Sequence, residues 1–151
     1  MVTHRGISRQ LWISGLSVWM IGALGVQFLL GMYINLFVSL PVYTAAPTGP
    51  MAGSAMMMGM VGASPLIMFH ALWALGLAVG GLVVVLKTLL SHRADLVSVA
   101  GVGFLAILVA GWAGLEFLMA GQHNAMSYVM ALGWLGAMLA YLVIARDSAA
   151  L

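Results

Sequence analysis

Residues 65–91 read PLIMFHALWALGLAVGGLVVVLKTLLS. No charged side chain occurs from Pro65 to Leu86, and a single histidine, His70, stands near one end. The hydrocarbon core of a bilayer takes ~20 apolar residues as a helix, in which every backbone N–H and C=O pairs inside the segment. The stretch is therefore a membrane span. An imidazole inside a span needs a partner, a cofactor or a cavity, so function is to be sought around His70.

The rest of the chain follows the same solvent logic. Of 151 residues, 64% are hydrophobic and 5% charged, with a mean hydropathy of +1.16; soluble domains carry roughly 25% charged residues. At ~20 residues per span, about four helices fill this length and leave no soluble domain. The predicted fold is all-α, one integral-membrane four-helix bundle over residues 1–151, with helices at about 11–40, 65–90, 96–120 and 125–145. Pro41 ends the first helix, and PVYTAAPTGPMAGSAMMMGMVGAS forms a Pro/Gly/Ala/Met-rich connector to Ser64. Pro65 suits a first helical turn, where its missing N–H costs nothing. SHRAD and AGQHN make the other two links.

Charge sets the expected orientation. Arg5, Arg9, Lys87, Arg93 and Arg146 all fall on one side of a four-span arrangement, and cytoplasmic loops are enriched in Lys and Arg. Both termini are therefore expected in the cytoplasm, in a multi-pass protein of the cell membrane, the bacterial inner membrane. The Met-rich connector and the turn at Gly121 then share the extracytoplasmic face. Five dispersed basic residues make no nucleic-acid footprint. With no cysteine in the chain there is no disulfide, zinc–thiolate site, iron–sulfur cluster or covalent c-type haem. Small residues at four-residue spacing mark expected close helix contacts: Gly76 and Gly80, Ala106, Ala110 and Gly114, and Gly133 and Ala137. No inverted repeat points to a transporter, and no nucleophile sits in a base-bearing motif.

Polar residues converge in depth below the outer face. His70 lies five residues inside helix 2, Glu116 and Asn35 lie at matching depths on helices 3 and 1, and His123 sits at the mouth of helix 4. Gln27, Gly31 and Asn35 share one face of helix 1. A charged side chain in mid-span costs ~2.5–3.5 kcal/mol on insertion scales, so Glu116 either has a partner or is neutral, and His70 is the expected partner. Four readings share this layer, the last of them a quinone-like or lipid ligand bound against His70, Glu116 and the tryptophans. In the first, His70 and Glu116 only pin two helices together. In the second, a haem b is held by His70, with His123 as a second axial ligand, in a pocket lined by Phe69, Trp73, Trp112 and Met119. In the third, copper is bound by the thioethers of Met51, Met56, Met57, Met58 and Met60 with His70 or His123. Trp12, Trp134, Tyr43, Tyr128 and Tyr141 read as interfacial belt or packing residues.

At GMYINLFVSLP, FHALWALGL and AGQHNAMSYVMALG the chain resembles an uncharacterised family of small bacterial four-span membrane proteins along almost its whole length. That resemblance implies the topology and carries no functional residue. In architecture alone the chain is similar to four-helix b-type cytochromes and to one half of haem A synthase, where membrane histidines ligate haem. It departs from both in lacking a deep histidine on helix 4 and a histidine pair on any one helix. The expected function is a haem b electron-transfer module with a redox partner in the membrane. Its competitors are a cofactor-free subunit of a larger membrane complex and a copper-binding protein.

Overall fold

The computed structural model describes residues 4–38, 64–119 and 123–149. They form four helices: α1 (His4–Phe37), α2 (Pro65–Leu90), α3 (Ala94–Met119) and α4 (Asn124–Ala149). All four are long and apolar enough to cross a membrane. The expected bounds of α2 match; α1, α3 and α4 each begin earlier than the apolar runs suggest, α1 ends at Phe37 and α3 at Met119, short of the expected 40 and 120, and α4 ends later. Hydropathy marks only the part of a helix that needs hydrocarbon around it. The backbone continues to pair with itself beyond that part until a breaker intervenes.

Local chemistry sets the α2 ends. Ser64 is extended (φ −149), and its carbonyl accepts from the Ile67 and Met68 N–H groups at 3.1 and 3.3 Å, with Pro65 in the first turn. At the other end the Ser91 N–H closes on the Lys87 carbonyl at 3.0 Å. His92 then turns left-handed with φ 57, a position glycine usually fills. The next carbonyl, of Arg93, already accepts from Leu96 and Val97 and so opens α3. Arg93 grips Asp95 at 2.8 Å across this turn, and that hydrogen bond raises the guanidinium above its usual range.

The helices form a ring in which each packs on its two chain neighbours and α4 closes on α1, while α1 and α3, and α2 and α4, face each other diagonally. All neighbouring pairs run antiparallel. As α1 climbs from Met20 to Gly31, its contacts in α2 descend from Gly80 to His70. Short links between α2 and α3 and between α3 and α4 require the same sense. Lys87, Arg93, Arg146 and the start of α1 with Arg5 and Arg9 consequently sit at one end of the bundle, and Glu116 at the other.

The interior is narrow. Met20, Leu24, Leu77, Val84, Ala100, Ile107, Ala137 and Ile144 line it, and Tyr141 fills its centre with 0% exposure. Tyr141 fits because Gly81 and Gly103 carry no side chain: a Cβ at Gly81 would stand 2.8 Å from the tyrosine oxygen, and one at Gly103 3.3 Å from its ring. Outward the surface is apolar on every helix, Leu and Val throughout with Phe, Trp, Tyr and Met among them. No apolar window buries more than 28% of its residues, and α2 buries 17%. Such an exterior is suited to hydrocarbon as solvent.

The small residues separate into those that make close contacts and those that do not. Gly133 meets the Ala106 carbonyl and Ala110, Gly114 meets Met130, and Gly80 meets Met20 and Trp19. Gly76 meets nothing within 4 Å and is exposed, so it contributes no helix contact, contrary to the sequence expectation. Spacing alone cannot tell an inward glycine from an outward one on a helix that is apolar all round.

Candidate functional site

His70 projects from the second turn of α2 onto α1. Its Nε2 lies 3.1 Å from Gln27 Nε2. The ring edge rests on the backbone at Gly31, where a Cβ would come within 3.1 Å of His70 Cε1. Antiparallel packing is what brings these together: Gln27 and Gly31 are one turn apart on α1 and flank the imidazole from below and above. One turn deeper on α2, the Trp73 indole N–H donates to the Ala23 carbonyl at 3.0 Å. From α4 the Trp134 indole N–H donates to the adjacent Leu24 carbonyl at 2.9 Å, with its ring stacked on Phe28 at 4.5 Å. α1 is therefore held on both sides through consecutive carbonyls, each of which keeps a second lone pair for its own helix.

The chemistry of the seam is neutral and incomplete. When the Gln27 amide donates to His70 Nε2, the imidazole proton sits on Nδ1; with the amide turned over, His70 Nε2–H donates to the amide oxygen instead. Either way the pair spends one donor and one acceptor. His70 Nδ1 and Gln27 Oε1 stay buried without a partner among the described residues. The expected hydrogen bond from His70 to Glu116 is not formed: one ring nitrogen faces Gln27 and the other has no partner among the described residues. The reason is register: matching depth places residues in one layer but does not choose the helix face, and the face bearing His70 and Trp73 is turned to α1.

The other predicted residues are spread around this seam. Trp73 is beside His70 as expected, and Phe69 packs on Trp73 at 5.8 Å. Asn35, His123 and Trp112 are exposed, Trp112 at 56%, and Glu116 is half-buried on α3. Met119 lies at the exposed end of α3. Met51, Met56, Met57, Met58, Met60 and Tyr43 lie outside the described residues. Among the described residues, no three His, Cys, Asp or Glu side chains gather as a metal site would require.

Comparison with protein-family models, curated proteins and solved structures finds no match to this chain.

Gln27 is the residue of the seam that reading by depth passed over, although its place one turn from Gly31 was visible. Trp134 was also better described by its position than by its type. It stands ten residues inside α4, too deep for an interfacial belt, where an indole N–H must find an acceptor.

Proposed function

We propose that the chain is a multi-pass protein of the bacterial inner membrane with both termini in the cytoplasm, and that it is a cofactor-free structural or accessory subunit of a larger membrane complex. The gathering of all five basic residues at one end of the bundle supports the orientation. One observation carries the accessory reading: His70 Nε2, the nitrogen best placed on an imidazole to take a metal, is turned onto Gln27 at 3.1 Å, and α1 closes over the ring at Gly31. A neutral pair of this kind fixes the rotation and register of two helices in a medium that gives apolar faces no reason to choose one another. The second reading, a haem b electron-transfer module, draws on the unpartnered Nδ1 of His70 and the aromatic rings of Trp73 and Phe69 beside it. There His70 would ligate iron through one nitrogen and Gln27 would hold the ring through the other.

An absorbance spectrum and metal analysis of the full chain, purified from cells supplied with a haem precursor and copper, separate the two. The accessory reading expects no Soret band and no stoichiometric copper. A Soret band that disappears in His70→Ala would replace it with the haem reading.

A further inference from the structure

Glu116 is the one carboxylate of this chain placed at the end of the bundle that holds no Lys or Arg. Asp95 and Asp147 lie at the opposite end, with Asp95 on Arg93. From Ala94, where α3 begins beside Arg93, to Glu116 is roughly 33 Å of helix at ~1.5 Å per residue. Lys87 and Arg146 stand in the last turns of α2 and α4, and Arg5 and Arg9 in the first turns of α1, all at that same far end. No Lys or Arg of the chain can therefore reach Glu116. The histidines do not serve either: His70 turns Nε2 onto Gln27 and its Nδ1 has no partner among the described residues, Glu116 included, and no ion pair joins His123 to Glu116 among them.

The surface beside Glu116 is that of a contact. Trp112, one helical turn away on the same face, is exposed, and Leu105, Leu108 and Leu115 continue the exposed apolar stripe along α3. A bulky aromatic next to a carboxyl group without an ion-pair partner is the composition of an interface anchor.

We infer that this face of α3 docks a membrane-spanning helix of a different protein that carries an arginine or lysine at the depth of Glu116, one turn below the outer surface. A second copy of this chain is the wrong complement, because in the same orientation it brings another Glu116 and no cation. A lipid tail covers the stripe but leaves the carboxylate unpaired. The inference rests on the accessory-subunit reading and names the chemistry of its partner.

The test uses the full chain in phosphatidylcholine vesicles with a single-span Leu/Ala host peptide bearing one arginine a turn inside its outer end. Matched peptides carry leucine or glutamate at that position. Association is followed by energy transfer from the tryptophans of the chain to a dansyl group on the peptide. The arginine peptide is expected to bind about tenfold more tightly than the leucine peptide, the scale of one strong interhelical polar contact. Glu116→Gln, which keeps size and helix, should remove that preference, and Trp112→Ala should weaken binding of both peptides. Equal binding of all three peptides, a preference that survives Glu116→Gln, or self-association of the chain that Glu116→Gln abolishes would overturn the inference. A Soret band in the same preparation would count against the accessory reading and leave the peptide result to be judged separately.

Discussion

Replacing Gly133 by alanine tests how the two most closely packed helices are held. An added Cβ would stand 2.8 Å from the Ala106 carbonyl oxygen, 2.9 Å from Ala110 Cβ and 3.1 Å from the Ala110 nitrogen. Carbon atoms pack best at about 3.5–4.0 Å, so the shortfall at Ala110 is roughly 0.6 Å or more. Two of the three obstacles are backbone and the third is a Cβ, so no rotamer change relieves them and α3 must move off α4. A gap of 0.5–1 Å forfeits about a quarter to a half of each van der Waals well along the seam, which puts the cost at the upper part of the ~1–3 kcal/mol typical of overpacking. Gly111→Ala is the control: its Cβ meets nothing within 4 Å, and the gain in helix propensity makes it neutral or stabilising by up to about 1 kcal/mol. Thermal unfolding in detergent followed by near-ultraviolet circular dichroism should place Gly133→Ala well below the parent and Gly111→Ala at or above it. A Gly133→Ala protein that melts with Gly111→Ala would refute the close-contact account.

Four further outcomes are expected. Trp134→Phe keeps the stack on Phe28 but loses the N–H to the Leu24 carbonyl, and should cost about 0.6–1.7 kcal/mol in the same melts, against no loss for Trp112→Phe on the exposed face. His92→Gly relieves a left-handed residue at the α2–α3 turn and should raise stability by up to about 1 kcal/mol; a loss would mean the imidazole anchors the turn. Tyr141→Phe removes a buried hydroxyl with no partner among the described residues while keeping the central ring, and should leave the melting temperature equal or higher. A reporter fused after Leu151 should read as cytoplasmic and one inserted near Gly53 as extracytoplasmic, and the reverse pattern would remove the orientation on which the depth of Glu116 rests.

The fold was legible wherever a bilayer imposes a rule on sequence. Apolar length marked four helices long enough to cross a membrane, Pro65 marked the start of α2, and the small residues at 106, 110 and 133 marked a close helix contact. What the sequence did not show is which way each helix faces. On spans as apolar as these the outward and inward residues are the same types, so Gly76 and Gly133 look alike although one meets nothing and the other meets a backbone. The same blindness paired His70 with Glu116 by depth. Gln27 is the partner because α1 and α2 run antiparallel with Met20 opposite Gly80, a register that places residue 27 beside residue 70.

The bundle is held by two kinds of contact, close packing and directed hydrogen bonds. Lipid tails are as apolar as leucine, so burial alone gives no helix a reason to prefer its neighbour. α3 and α4 answer this by shape, with Gly133 on Ala106 and Ala110, and Gly103 on Ala140. On α1, Gly15, Gly22 and Gly25 meet nothing within 4 Å, and its close contacts at a glycine are with α2, Met20 and Trp19 on Gly80 and Gly31 on His70. It is fixed by direction as well, through Trp73 and Trp134 on the Ala23 and Leu24 carbonyls and through Gln27 on His70. Adding bulk at Gly133 should therefore part α3 from α4 without releasing α1, whereas removing Trp73, Trp134 or His70 should free α1 to turn or slide while the α3–α4 pair stays intact.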